Sequence, residues 1–247
     1  MLTSETSYEP VWREVEPGGF LLEYASVPST QDVARECVNR GDRSILGVRA
    51  DCQSEGRGRR GARWIAPAGA CLLVTYIVRP ERALDSSHLA FAAGVGVSEA
   101  IASLTGLTPA LKWPNDVLLG GRKVAGILIE TVGIFALVGI GLNVNISDFP
   151  PALADSATSL LCETGIEWSI AELEGIVRHR VFALVDTPWD EVLRRWKSRD
   201  DTAGRRYATV IDGAEVTGEA VGVDMDGALL LKLANGTTAA VLSATSI

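Results

Sequence analysis

The residues best suited to chemistry crowd into one segment, Gln53-Ser54-Glu55-Gly56-Arg57-Gly58-Arg59-Arg60-Gly61-Ala62-Arg63-Trp64, which packs three glycines and four arginines together. Guanidinium groups grip carboxylate or phosphate through forked hydrogen bonds, and glycines let a backbone come close enough to offer its N–H groups. The expected guest is an anion. A basic solvated loop or a local nucleic-acid patch is the bland alternative for the same composition. Trp64 ends the segment with a flat face that suits stacking on a base or an apolar ring, or plain core packing.

Three further segments offer polar groups at fixed spacing. Lys112-Trp113-Pro114-Asn115-Asp116 gathers an amine, an amide and a carboxylate at the end of a strand, although Pro-Asn-Asp is also an ordinary turn. In Gly121-Arg122-Lys123-Val124-Ala125-Gly126-Ile127-Leu128-Ile129-Glu130, a lysine opens an apolar strand in a chain with 23 Lys and Arg of which only Lys112, Lys123, Lys197 and Lys232 are lysines. An ammonium can meet a phosphate or a developing negative charge, and a strand-edge lysine facing solvent is the equal alternative. Gly139-Ile140-Gly141-Leu142-Asn143-Val144-Asn145 suits a backbone site for a flat polar group, or a simple strand exit. Ser29 and Thr30 precede Asp32 at a helix start and read as a side-chain N-cap.

The scaffold that positions these segments must come from 247 residues, 47% apolar and 22% charged, which excludes intrinsic disorder and allows one large domain plus one small one. A net charge of −8 and a pI of about 4.9 argue against general nucleic-acid binding. Cys37, Cys52, Cys71 and Cys162 have no metal-ligand spacing, and Met1 to Pro10 is polar and acidic rather than a signal peptide, so a reducing cytoplasm is the expected location. Val124 to Leu142 is apolar enough to suggest a membrane span. Glu130 and a break at Gly133 favour two buried strands instead.

Phe20–Tyr24 and Ser44–Ala50 read as strands around a helix closed by Gly41, Cys71–Val78 as a buried strand, and Ser87–Leu104 as an interior helix. Leu111–Trp113, Val117–Leu119, Val124–Glu130 and Phe135–Ile140 form a cluster expected to pair antiparallel. Ser169 with Glu172 predicts one capped helix, and Trp189 to Trp196 another. From Gly204 only strand-length pieces remain, with Gly213, Gly227 and Gly236 at turns, which predicts a small all-β barrel. The boundary falls near Ala203, giving units 1–203 and 204–247, with 1–19 a loose lead-in too short for a helix-turn-helix domain.

Taken in order, the four segments and the Ser29-Thr30 pair resemble the biotin protein ligases, from about Glu23 to Asn145, and the tail from Gly204 is similar to that family's small C-terminal domain. Ile146 to Thr202 adds little beyond length. The resemblance implies an α/β (α+β) fold: a class II synthetase-like mixed, mainly antiparallel sheet with helices, followed by an SH3-like barrel. It also implies a two-step reaction, in which ATP activates biotin to biotinyl-5′-AMP and the biotin then passes to a lysine of a carrier protein.

By the same resemblance, Ser29, Thr30, Gln53, Arg57, Gly58, Arg59, Lys123 and Gly126 bind biotin, and Lys123 and Arg59 carry the catalysis. Arg57, Arg60, Arg63, Trp64, Lys112, Asn115, Asp116, Lys123 and Asn143 serve the nucleotide. No protein residue is assigned to a metal; Mg2+ accompanies ATP in the substrate complex, and no tightly bound prosthetic group is implied. The implied partner is the biotin carboxyl carrier protein or domain of an acyl-CoA or pyruvate carboxylase, with no DNA and no membrane, and with a homodimer allowed. Gln31 stands where the family commonly has Asn, Ala62 where some members have a further arginine, and the tail Leu242-Ser243-Ala244-Thr245-Ser246-Ile247 lacks the usual acidic-glycine turn. A lipoate or octanoate transferase and a DNA-binding repressor are the competing readings.

Overall fold

A computed structural model describes residues 9–80, 86–211 and 213–247. Strands β1 (Val11–Val15), β2 (Gly19–Val27), β3 (Ile45–Gln53), β4 (Cys71–Val78), β5 (Ala110–Lys112), β6 (Asp116–Leu119), β7 (Arg122–Val132) and β8 (Phe135–Asn143) form one sheet. Their spatial order is β1-β2-β3-β4-β8-β7-β6-β5. Helix α1 (Thr30–Arg40) crosses over between β2 and β3, which makes that pair parallel, while the other neighbours run antiparallel. The mixed, mainly antiparallel sheet expected from the sequence is therefore the frame of the molecule.

Strand β4 is buried at every position because both faces of the sheet are covered. On one face α1 packs through Ala34 and Cys37 against Val48, Ile77 and Leu137. On the other lie α2 (Ser86–Thr105), α4 (Ile170–Val185) and α5 (Trp189–Lys197), with the short α3 (Leu160–Thr164) just ahead of α4 in the chain. Helix α2 is long and apolar enough to cross a membrane, yet 61% of its apolar window is buried inside the molecule, against α4 and α5. The apolar stretch 124–142 resolves into the β7–β8 hairpin, turned at Gly133 with φ 58°. Gly41 closes α1 in the left-handed conformation, as its place in the sequence predicts.

Two expectations need correction. Ser29 occupies the N-cap position of α1, but its side chain makes no cap hydrogen bond; its carbonyl accepts from the N–H groups of Asp32 and Val33 instead. The lead-in is not loose from Val11 onward, because β1 pairs along its length with β2. Residues 1–8 lie outside the described residues. The short polar-apolar mixture of β1 hides its anchor, which is a side chain reaching across the fold. Arg13 donates to Glu174 on α4 at 2.5 Å, and the fully buried Glu174 also accepts from Tyr76 and Arg178.

Strands β9 (Arg206–Ile211), β10 (Ala214–Val223), β11 (Leu229–Leu233), β12 (Thr238–Val241) and β13 (Thr245–Ser246) make a second, antiparallel sheet in the order β12-β11-β10-β9-β13. Its core is continuous with the larger one, since Tyr207, Leu229 and Leu231 belong to the same buried cluster as Phe91, Trp113 and Trp196. Trp113 Nε1 donates to the Gly227 carbonyl and the Tyr207 hydroxyl to the Trp113 carbonyl. The Lys112-to-Asp116 segment is thereby pinned from the C-terminal side.

Removing one partner from a buried ion-pair network costs about 3–5 kcal/mol. Glu174→Ala, which leaves the buried Arg178 without a carboxylate and Arg13 with Glu23 alone, is expected to lose stability approaching that scale in urea unfolding and to loosen β1.

Candidate functional site

The site rests on a stretch of sheet without side chains. Gly126 on β7 and Gly141 on β8 are direct cross-strand partners, and the Trp64 indole lies across them. A Cβ at Gly141 would stand 2.5 Å from the indole Cε2, and one at Gly126 3.2 Å from Cζ3. The flat group that these glycines accept is thus the protein's own tryptophan. Its Nε1 is buried without a hydrogen-bond partner among the described residues.

Lys123 reaches the same surface through a bulge. Val117 pairs with Ala125 but Leu118 pairs with Lys123, so Val124 is an extra residue in β7. Strict alternation would put Lys123 and Gly126 on opposite faces. With the bulge, Lys123 Nζ comes within 3.1 Å of where a Gly126 Cβ would be, and sits 5.6 Å from the Trp64 ring centroid, within cation–π range. Asp116 Oδ1 holds that ammonium at 2.5 Å, and Lys112 Nζ lies 3.8 Å from the other carboxylate oxygen. Burial, reinforced by the nearby charges of Arg205 and Lys123, pulls the Lys112 amine below its usual range against the pull of Asp116. Asn115 donates its side-chain amide to the Ile127 carbonyl at 2.6 Å, which fixes the turn against β7.

These groups face a cavity of about 260 Å³. Its far end is polar: the Thr30 N–H and hydroxyl both donate to Gln53 Oε1, at 2.8 and 3.0 Å, and the Thr30 and Thr75 hydroxyls are hydrogen-bonded at 2.8 Å. Ser29 is buried beside them. Gln31 Nε2 donates to the Leu128 carbonyl, leaving its buried Oε1 as an acceptor without a partner among the described residues. Gly139 is bare because a Cβ there would meet that Nε2 at 2.6 Å.

The arginine loop roofs the cavity, and its four guanidinium groups have different tasks. Arg57 forks onto Asp32 at 2.7 and 2.6 Å, and these hydrogen bonds hold the Asp32 carboxyl below the usual carboxylate range. Arg60 donates to the hydroxyls of Ser243 and Thr245, and Arg63 to the Ser54 carbonyl. Arg59, half-buried at the cavity, makes no ion pair among the described residues, and burial lowers its pKa.

A second cavity, of about 610 Å³, shares Arg63, Trp64 and Lys123 with the first and is otherwise largely apolar, lined by Ile65, Pro67, Ile146, Phe149, Pro150 and Leu153. Asn143 lines this second cavity, not the first. Its amide is occupied internally, donating to the Thr158 carbonyl at 2.9 Å. Every other candidate residue named from the sequence lines the first cavity. Sequence reasoning missed Thr75, whose signal was a lone hydroxyl in a strand otherwise apolar apart from Tyr76. It also missed the wall contributed by residues 146–157 and the closing residues Tyr207, Ala244, Thr245 and Ser246.

A cationic, amide-rich pocket joined to an apolar one, on a mixed sheet with a small β unit at its mouth, suits an anion beside a flat apolar group. Residues 24–146 match the Biotin/lipoate A/B protein ligase family and residues 208–245 the Biotin protein ligase C terminal domain. The bifunctional ligase/repressor BirA of Bacillus subtilis (strain 168) is 31% identical over 89% of this chain and 71% of its own. The biotin--[acetyl-CoA-carboxylase] ligase of Paracoccus denitrificans is 36% identical over 73% of this chain and 81% of its own. The structure of the Aquifex aeolicus biotin protein ligase with biotin and ATP superimposes with a TM-score of 0.81 at 28% identity, covering 92% of this chain and 98% of that one. The chain belongs to the biotin/lipoate A/B protein ligase family, among its biotin protein ligases.

Gly141→Ala places a methyl group into the Trp64 ring, an overpacking that typically costs about 1–3 kcal/mol. It should lower Tm and raise the KM for ATP, because the ring between the cavities is displaced. For Lys112, a folded-state pKa below the unfolded value means that burial opposes folding while the amine is charged, and that this penalty fades as pH rises through the folded pKa. Lys112→Met should therefore raise Tm at pH 7 while weakening catalysis, with the Tm gap closing as pH approaches 10.5, the value for a free lysine.

Proposed function

We propose that the two cavities divide the substrates of this ligase, biotin entering the polar-ended one and the adenine side of ATP the apolar one. The enzyme activates biotin with ATP to biotinyl-5′-AMP and transfers the biotin to a lysine of a biotin carboxyl carrier domain. The observation that carries the division is the shared wall: Trp64 and Lys123 line both cavities. A carboxylate in one and an α-phosphate in the other meet at the Lys123 ammonium.

Ser29, Thr30, Gln53 and Thr75 present hydroxyls and amide groups to the ring of biotin, and Gly126 leaves its body room on the sheet. The biotin carboxylate takes over the Lys123 charge now shared with Asp116. A carboxylate oxygen then forms a bond to the α-phosphorus as the bond to the pyrophosphate leaving group breaks. Lys123 and Arg59 stabilise the charge that develops, while Arg57, Arg60, Arg63, Lys112, Asn115 and Asp116 orient the phosphates and ribose. In the second step the carrier lysine attacks the anhydride carbonyl, AMP leaves, and a proton from the amine is lost to solvent. Both nucleophiles come from substrates, so the protein supplies placement and charge. Mg2+ accompanies ATP in the substrate complex.

The same reading divides the chain at 203/204 into a ligase unit and a β unit that closes it. It places the enzyme in the cytoplasm, acting on the carrier domain of an acyl-CoA or pyruvate carboxylase. Duplex DNA is not a ligand on this reading, given a net charge of −8 and loop arginines committed to a small anion. Among the described residues β1 is an unpaired edge exposing Val11 and Trp12, which is compatible with a homodimer.

Incubation with ATP, Mg2+, radiolabelled biotin and a biotin carboxyl carrier domain should label the carrier, and lipoate or octanoate should not replace biotin in releasing pyrophosphate. Label absent from the carrier, or equal turnover of lipoate, defeats the reading. Lys123→Gln should fold yet lose about 10²- to 10³-fold in adenylate formation, the usual scale for one charge-stabilising contact. Near-normal pyrophosphate release would remove Lys123 from the site.

A further inference from the structure

We propose that Ser243 and Thr245 are positioning residues that latch the arginine loop over the cavity through Arg60, so that the C-terminal sheet sets how long the adenylate is held. The inference rests on the ligase reading above. Its geometry is independent of it.

Arg60 donates one guanidinium nitrogen to the Thr245 hydroxyl and the other to the Ser243 hydroxyl, across 185 and 183 residues of chain. Those acceptors are themselves fixed. Thr245 pairs with Ala208 and Ser246 with Tyr207, the Thr209 hydroxyl donates to the Ser243 carbonyl at 2.6 Å, and the Ile247 N–H donates to the Arg206 carbonyl at 3.0 Å. Arg60 has φ 54° and ψ 34°, a left-handed conformation that a non-glycine residue keeps only where its surroundings hold it there. The latch supplies such a hold.

The loop backbone is closed on itself, the Gly58 N–H donating to the Ala62 carbonyl at 2.7 Å and the Ala62 N–H to the Arg59 carbonyl at 3.1 Å, and two side chains tie that turn to the rest of the fold. Arg57 is forked onto Asp32 of α1, and Arg60 is held by the C-terminal segment. Arg59 lies between them in the same turn, half-buried at the cavity without an ion pair among the described residues, so the two anchors set where the turn carries it. Both acceptors on the C-terminal side are neutral, and among the described residues Arg60 makes no ion pair, although Glu215 lines the same hollow. A phosphate can feel that charge while the loop is still latched. The hydroxyl-rich tail, which departs from the family's acidic-glycine turn, thereby acquires a task.

The test compares two rates in the full-length chain: biotin-dependent pyrophosphate release, which reads adenylate formation, and escape of labelled biotinyl-5′-AMP from the enzyme by filter binding. In Ser243→Ala/Thr245→Val, escape should accelerate about tenfold, the scale of losing hydrogen bonds to a charged donor, with formation affected less. Thr245→Ser keeps the hydroxyl and should retain the slow escape. Arg60→Gln, on the exposed loop, approaches the same contact from the other side without touching the C-terminal sheet. Because Arg60 also serves the phosphates on the ligase reading, this variant should accelerate escape at least as much and slow formation too, and adding the double substitution to it should not accelerate escape further. Escape as slow as in the parent, or effects of the two changes that simply add, overturns the latch. An unaltered chain that releases no pyrophosphate with biotin overturns the ligase reading instead, so the two failures are distinguishable.

Discussion

The pairing of Gly126 with Gly141 is the constraint around which the molecule is arranged. Two neighbouring strands present bare backbone at the same level, and this shallow gap admits the Trp64 indole flat against the sheet. The ring in turn partitions the space above into two cavities and offers its face to the Lys123 ammonium. The bulge at Val124 brings Lys123 to that face, and Asp116 keeps it there. Without the register that aligns the two glycines, the remaining groups would have no common surface.

Concentrating cations has a cost that the surrounding fold absorbs. Lys112, Lys123 and Arg59 converge near one carboxylate, and burial weakens the charged form of Lys112 and Arg59. Such a cluster is stable enough to persist because its backbone is fixed from several sides: Trp113 is clamped by Gly227 and Tyr207, and Asn115 by Ile127. An arriving anion relieves the mutual repulsion, so the arrangement favours the bound state over the free one.

Much of this was legible because it is written locally. The β7–β8 hairpin follows from two apolar runs around Gly133, α4 from Ser169 capping Glu172, and the arginine loop from a composition that no core accepts. What stayed hidden depends on residues far apart in the chain. The bulge at Val124 is a property of pairing with β6, and the place of Asn143 follows from its bond to Thr158. Thr75 looked like one more core residue until Thr30 was brought against it, and β1 looked idle until Arg13 met Glu174. The wall around Phe149 and Leu153 carries no periodicity, so only the folded chain shows that it faces Trp64.

The first cavity takes walls from Ser29 and, more than two hundred residues later, from Ala244, Thr245 and Ser246. During synthesis on a ribosome, the nascent polypeptide can therefore build the sheet, the glycine floor and the arginine loop well before the pocket is enclosed. Enclosure waits for residues made more than two hundred positions after Ser29, and then for their release from the exit tunnel. A copy terminated before Ser243 would carry the cationic cluster with one side of its cavity open to water.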